Sequence, residues 1–181
     1  VADGPVVEDA SRRALSDGVS LSGILEELIE RKGLIQSGVV LMGYLNPFLQ
    51  YGYEKLARDA ARAGVHGFIV PDLPYEEAAP LRDALKKEGI ALIPLVGPNT
   101  SEERMALYDS VGEGYVYVVS VMGITGERTD IAPQVAVTMR RARSVFKLPL
   151  ALGFGLREPS QLEALSPEAQ HSAVEMTRTM A

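Results

Sequence analysis

The residues best placed for chemistry lie where apolar runs give way to loops. YVYVVSVMGITGER, residues 115–128, starts as aromatic and β-branched strand and ends with two glycines, a threonine and charge. A strand that opens directly into a soft loop suits a gate, a fixed base carrying a flap that excludes water, although strands must also simply end. Tyr117 puts a hydroxyl near the end of that strand, where it can orient a ligand or relay a proton. VPDLPYEE (70–77) places the carboxylate of Asp72 at a comparable strand end. Gly126 and Gly155 fall in the loops after adjacent strands. Glycine lets backbone N–H groups approach a phosphate, though each glycine alone is an ordinary turn residue. Phe154, flanked by two glycines, is expected to face a ligand rather than pack in the sheet.

Composition removes other chemistries. The chain has no cysteine, so disulfides, thiolate nucleophiles and cysteine-based zinc sites are absent. His66 and His171 are far apart, and neither sits in a metal-binding motif. The formal net charge of −6 argues against a general nucleic-acid binder. No apolar run approaches the roughly 20 residues that span a bilayer, and no signal-peptide pattern is present. These features lead us to expect a cytoplasmic protein with no membrane or nucleic-acid partner.

Five short, nearly continuous apolar runs are expected as strands buried on both faces: GVVLMGY (38–44), GFIVPDL (67–73), ALIPLV (91–96), YVYVV (115–119) and PLALGFG (149–155). Helical spacing fills the gaps. Leu21, Ile24, Leu25, Leu28 and Ile29 form one stripe. Tyr53, Leu56, Ala57, Ala60 and Ala61 form a second, and Ala78, Leu81 and Leu85 a third, with stops at Gly33, Gly64 and Gly89. Thr100 with Glu103 reads as a capping box, and Pro133 and Pro159 suit helix first turns. RRAR (140–143) reads as a solvated helix face. Strict alternation means βαβ units and a parallel sheet, either an open doubly wound sheet or a (β/α)8 barrel. In both, ligands bind beyond the C-terminal strand ends. A G-x-G-x-x-G after the first strand is lacking, which weakens a dinucleotide reading.

The strand-end segments LMGYLNPFLQYG, FIVPDLPYEE, LVGPNT, YVYVVSVMGITGER and LALGFGLREP, in this order and spacing, together resemble the tryptophan synthase α-subunit family over roughly residues 1–165. VADGP resembles the tail of that family's PFSDPxADGP motif. The resemblance implies a (β/α)8 barrel, with residues 1–181 as a single, incomplete barrel domain showing about five of eight strands. It also implies a lyase that cleaves indole-3-glycerol phosphate to indole and glyceraldehyde 3-phosphate without a cofactor of its own. Pyridoxal phosphate is expected only in the β subunit that receives the indole.

The same resemblance assigns residues. Leu41, Ile69, Tyr117 and Phe154, with Pro71 beside them, match the indole pocket, and Gly126 and Gly155 match phosphate-binding positions. Thr125 matches the threonine of a lid that positions a catalytic carboxylate, so residues 121–131 are expected to be mobile without ligand. Asn46, Pro47, Phe48, Pro74 and Tyr75 match surfaces that meet the β subunit. Asp72 is read as structural or supporting, and Asp3 and His66 as structural.

Retro-aldol cleavage needs a proton delivered to indole C3, one removed from the ring nitrogen and one from a side-chain hydroxyl, work that two carboxylates in different environments could divide. The family's Glu and Asp for this task match no position in the chain, and the tail from His171 does not resemble the family. The chain opens at Val1 without an initiator Met, and five strands do not close a barrel. The expectation is therefore a fragment, a processed chain, or a sequence covering ordered residues only, with little lyase activity alone. The alternative is a catalytically dead barrel that docks to and activates the β subunit.

Overall fold

The computed structural model describes residues 5–119 and 133–153. Its elements run α1 (Pro5–Ser16), α2 (Leu21–Arg31), β1 (Val39–Met42), α3 (Leu45–Tyr51), α4 (Tyr53–Ala63), β2 (Val65–Ile69), a 3-10 turn (Tyr75–Glu77), α5 (Ala79–Lys87), β3 (Ala91–Leu92), β4 (Leu95–Val96), α6 (Glu102–Val111), β5 (Val116–Val119), α7 (Pro133–Val145) and β6 (Leu150–Gly153). Among the described residues all strand pairings are parallel, and within each of two three-stranded runs, β1-β2-β3 and β4-β5-β6, every strand neighbours the next in sequence. A doubly wound sheet would reverse this order at a switch point. The unreversed order is that of a barrel wall.

The third apolar run is divided by Pro94 into β3, which pairs only with β2, and β4, which pairs only with β5. Proline has no N–H to give a ladder. The backbone changes partner at this point: Ile93 N donates to Phe68 O at 2.8 Å, and Tyr117 N donates to Pro94 O at 2.9 Å. No backbone hydrogen bond joins β2 to β4 among the described residues. A second irregularity lies between β1 and β2, where Val39 pairs with Val65 but Val40 with Gly67. His66 is skipped, and its Nδ1 accepts the Val39 N–H at 3.2 Å. The histidine thus replaces the carbonyl that the bulge removes, which makes its role structural.

The main core fills the space between sheet and helices. Phe68, Leu56, Leu85, Val96, Val116 and Val118 are fully buried there. Truncating a buried aromatic such as Phe68 to alanine costs about 3–5 kcal/mol. Helix α4 approaches closely through Ala57, Ala60 and Ala63 and ends on Gly64 in the left-handed region, φ 77°, where a Cβ would be strained. Helix α5 buries Leu81, Ala84 and Leu85.

Two helix expectations need adjustment. Ile24 lies outside the buried stripe of α2, which is centred on Leu25. Helix α6 is capped by Ser101, whose hydroxyl accepts from Arg104 N, while Thr100 is occupied elsewhere. The segment containing Asn46 and Pro47, matched to a partner surface, forms the short helix α3. Helix α7 begins at Pro133, as read from the sequence.

Candidate active site

The strand ends hold their loops by a small set of polar contacts. Beyond β2, Asp72 Oδ1 accepts the Leu45 N–H at 2.8 Å, satisfying a first-turn amide of α3. The carboxylate is a structural anchor, in line with the supporting role read for it. Tyr75 is 7% exposed and donates its hydroxyl to Leu92 O at 3.2 Å. Burial pushes its pKa up to about 12. Its ring packs against Tyr108, with centroids 4.9 Å apart. Next to it, Arg104 grips Glu76 through Nε to Oε1 at 2.6 Å and Nη2 to Oε2 at 3.2 Å, and also donates to the Tyr108 hydroxyl at 2.9 Å. The guanidinium holds the Glu76 carboxyl below the usual glutamate range. Beyond β4, Thr100 N donates to Gly97 O and Gly97 N to Thr100 Oγ1, both at 3.0 Å, closing a tight turn.

A cavity of about 330 Å³ opens between these loops, where β2 and β4 diverge. Pro71, Asp72, Ile93, Leu95, Thr100 and Arg104 are among its lining residues. It lies at the C-terminal rim, the ligand-binding end of parallel barrels. A second cavity, of about 380 Å³, is lined by Lys32, His66 and Glu88 at the N-terminal ends of β1 and β2. That end of a barrel serves stability.

Strand pairing assigns the faces. Leu95, Tyr117 and Ala151 are paired across β4, β5 and β6, and Val119 is paired with Gly153. Side chains alternate along a strand, so these residues turn away from the helices while Val116 and Val118 face them. On this inner face Tyr117 is half-buried and its ring leans over β6. A Cβ at Gly153 would fall within that ring. Ile93 leans in the same way over Gly67, where a Cβ would come within 2.8 Å of Cδ1. Burial raises the Tyr117 pKa above the ordinary tyrosine value.

Among the pocket residues read from the sequence, Ile69 and Tyr117 lie at this end of the inner face. Leu41 is corrected: it is paired with Phe68 and packs against the sheet–helix core, whereas Met42 is paired with Ile69. Ile69 and Tyr117 do not line the 330 Å³ cavity, but Pro71 does. Among the partner-surface residues, Asn46, Pro47 and Pro74 are exposed. Phe48 and Tyr75 are corrected: Phe48 is 4% exposed and meets Phe68 edge-on with centroids 5.3 Å apart, and Tyr75 is buried as described. Both rings anchor the surface from beneath. Thr125, Gly126, Phe154 and Gly155, the mobility expected of 121–131, Asp3, Pro159 and the tail lie outside the described residues.

Glu76, Arg104, Tyr108 and Gly153 were not singled out from sequence. Glu76 and Arg104 are 28 positions apart and share no local pattern. Gly153 carried a signal in GFG, which was read only as a flank of Phe154. No helix among the described residues is long and apolar enough to cross a membrane, and no metal-binding cluster occurs among them.

The family model described as tryptophan synthase alpha chain matches residues 1–175. The chain is 81% identical over 173 residues to the tryptophan synthase alpha chain of Desulfovibrio desulfuricans, covering 96% of this chain and 68% of that one. It is 58% identical over 166 residues to that of Nitratidesulfovibrio vulgaris, covering 92% and 65%. It thus spans about two thirds of the length of the curated relatives it matches. The crystal structure of the Legionella pneumophila alpha chain superposes with TM-score 0.77 at 36% identity, over 90% of this chain and 60% of that one. The alpha chain in the tryptophan synthase α2β2 complex of Pyrococcus furiosus superposes with TM-score 0.81 at 30% identity, over 100% and 68%. The unreversed parallel wall is part of a (β/α)8 barrel, and the chain belongs to the tryptophan synthase alpha chain family.

Proposed function

We propose that this chain belongs to a lyase of tryptophan biosynthesis that cleaves indole-3-glycerol phosphate into indole and glyceraldehyde 3-phosphate, and that the 181 residues bind this substrate but have little lyase activity alone. The observation that carries this reading is membership of the tryptophan synthase alpha chain family over residues 1–175, with Tyr117 half-buried on the inner face. Ile69 and Tyr117 form the described part of the indole pocket, which Phe154 completes. Backbone amides at Gly126 and Gly155 hold the phosphate. Tyr117 orients the substrate by donation, and the proton transfers are the work of the family's two carboxylates, which match no position in this chain. Thr125 positions one of these.

The chain is a single domain that needs no cofactor of its own and works in the cytoplasm. Its partner is a β subunit carrying pyridoxal phosphate, met through Asn46, Pro47 and Pro74 above the buried rings of Phe48 and Tyr75. Support for this partner comes from the α2β2 assembly of the Pyrococcus relative.

The chain contains no tryptophan, so indole fluorescence reports ligand against a tyrosine background. Titration with indole-3-glycerol phosphate is expected to give saturable binding that glyceraldehyde 3-phosphate competes. Indole release is followed in parallel, with and without β subunit. No saturable response at millimolar ligand would overturn the reading.

A further inference from the structure

RRAR (140–143) was expected to be a solvated face, and Arg140 and Arg143 are indeed exposed. Arg141 is different. Its Nη1 donates to Pro98 O at 3.1 Å and its Nη2 to Thr100 O at 2.8 Å. One guanidinium therefore spans two carbonyls of the turn that follows β4. The turn is already closed on itself by the two Gly97–Thr100 hydrogen bonds. Arg141 ties this closed turn to helix α7.

The geometry points to Arg141 as a positioning residue that holds the Gly97–Thr100 turn in place as a wall of the 330 Å³ cavity at the C-terminal rim. Gly97 and Thr100 both line the 330 Å³ space, and Ser101, the next residue, caps α6, which brings Arg104 to the same cavity. Helix α7 is a firm base for this grip. Val135, Met139 and Ala142 fix it in the core, and it packs against α6. The arginine stem reaches toward the helix N-terminus, as long side chains on helices do. Glu102 Oε1, 3.9 Å from Nε, is exposed and adds little. The planar fork matters because its two Nη atoms meet the two carbonyls in a fixed geometry, which the single nitrogen of a lysine ammonium on a flexible stem does not reproduce.

This inference rests on the proposed substrate. Two measurements on the 181-residue chain test it, comparing wild type with Arg141→Ala and Arg141→Lys. The first is amide hydrogen exchange. In Arg141→Ala the Gly97 and Thr100 amides are expected to exchange faster by about tenfold, while Tyr117 on β5 keeps its wild-type rate. General destabilisation would accelerate both. The second is affinity for indole-3-glycerol phosphate, expected to fall by about tenfold in Arg141→Ala and less in Arg141→Lys, in keeping with two hydrogen bonds lost or one retained. Unchanged turn exchange, or unchanged affinity in Arg141→Ala when the wild type binds, overturns the positioning role alone. A wild-type chain that does not bind the substrate overturns the functional reading and this inference with it, and the exchange data then show only a structural tether.

Discussion

The ring of Tyr117 on β5 occupies the space that a side chain at Gly153 on β6 would need. Gly153→Ala should therefore displace the ring, with a loss of about 1–3 kcal/mol in stability and weaker binding of indole-3-glycerol phosphate. Combining it with Tyr117→Ala should cost less than the sum of the two single changes, because the clash disappears with the ring. Urea denaturation of the four chains measures this. Strict additivity would show that the two residues do not meet.

Asp72 serves α3 through one oxygen. Asp72→Asn keeps an acceptor for the Leu45 N–H, whereas Asp72→Ala leaves the amide without one. The alanine variant should lose about 1 kcal/mol and the asparagine variant much less, as measured by the denaturation midpoint. Equal losses would indicate that charge rather than acceptance is what matters.

Tyr75 carries an alkaline limit. Its pKa is about 12 when folded, raised by burial, against about 10 in the unfolded chain. Its share of stability is therefore full below pH 10. Above that the unfolded chain sheds the proton first, and stability falls by about 1.4 kcal/mol per pH unit toward pH 12. Tyr75→Phe should be less stable near neutrality by about 1 kcal/mol, for the lost bond to Leu92, and should close that gap as pH rises from 10. Denaturation of both chains from pH 8 to 11.5 tests this.

Glu76 behaves in the opposite sense. Arg104 depresses its folded pKa, so its contribution is present above the unfolded value of about 4.3 and is lost as pH falls through the lower folded value. Glu76→Gln should be less stable than wild type at pH 7, modestly so because the pair is partly exposed to solvent. The two chains should converge in acid. A difference that persists at pH 2 would assign the effect to packing.

Much of the fold was legible because its signals are local and repeated. The stripes of α4 and α5 follow helical periodicity, and Gly64 and Gly89 stop the chain where a left-handed residue is needed. ALIPLV reads as one strand, but Pro94 within it divides the run where the ladder changes partner. Less was legible where tertiary contacts decide. Leu41 lies one residue out of phase with the inner face because the His66 bulge shifts the β1–β2 pairing. Phe48 and Tyr75 sit beside prolines and read as surface, yet Phe68 and Tyr108 draw them inward. Ser101 takes the cap expected of Thr100 because the Gly97 amide claims the threonine hydroxyl. The grip of Arg141 on carbonyls 41 and 43 positions away has no local pattern to announce it.

Pro94 also has a mechanical consequence. It divides the wall into two panels, and among the described residues no backbone hydrogen bond joins β2 to β4 along the upper seam. The wedge between β2 and β4 can thus widen or narrow without tearing a backbone bond. Its gauge is set by side-chain struts, with Tyr75 reaching down to Leu92 and Arg104 bracing Glu76 from across the gap.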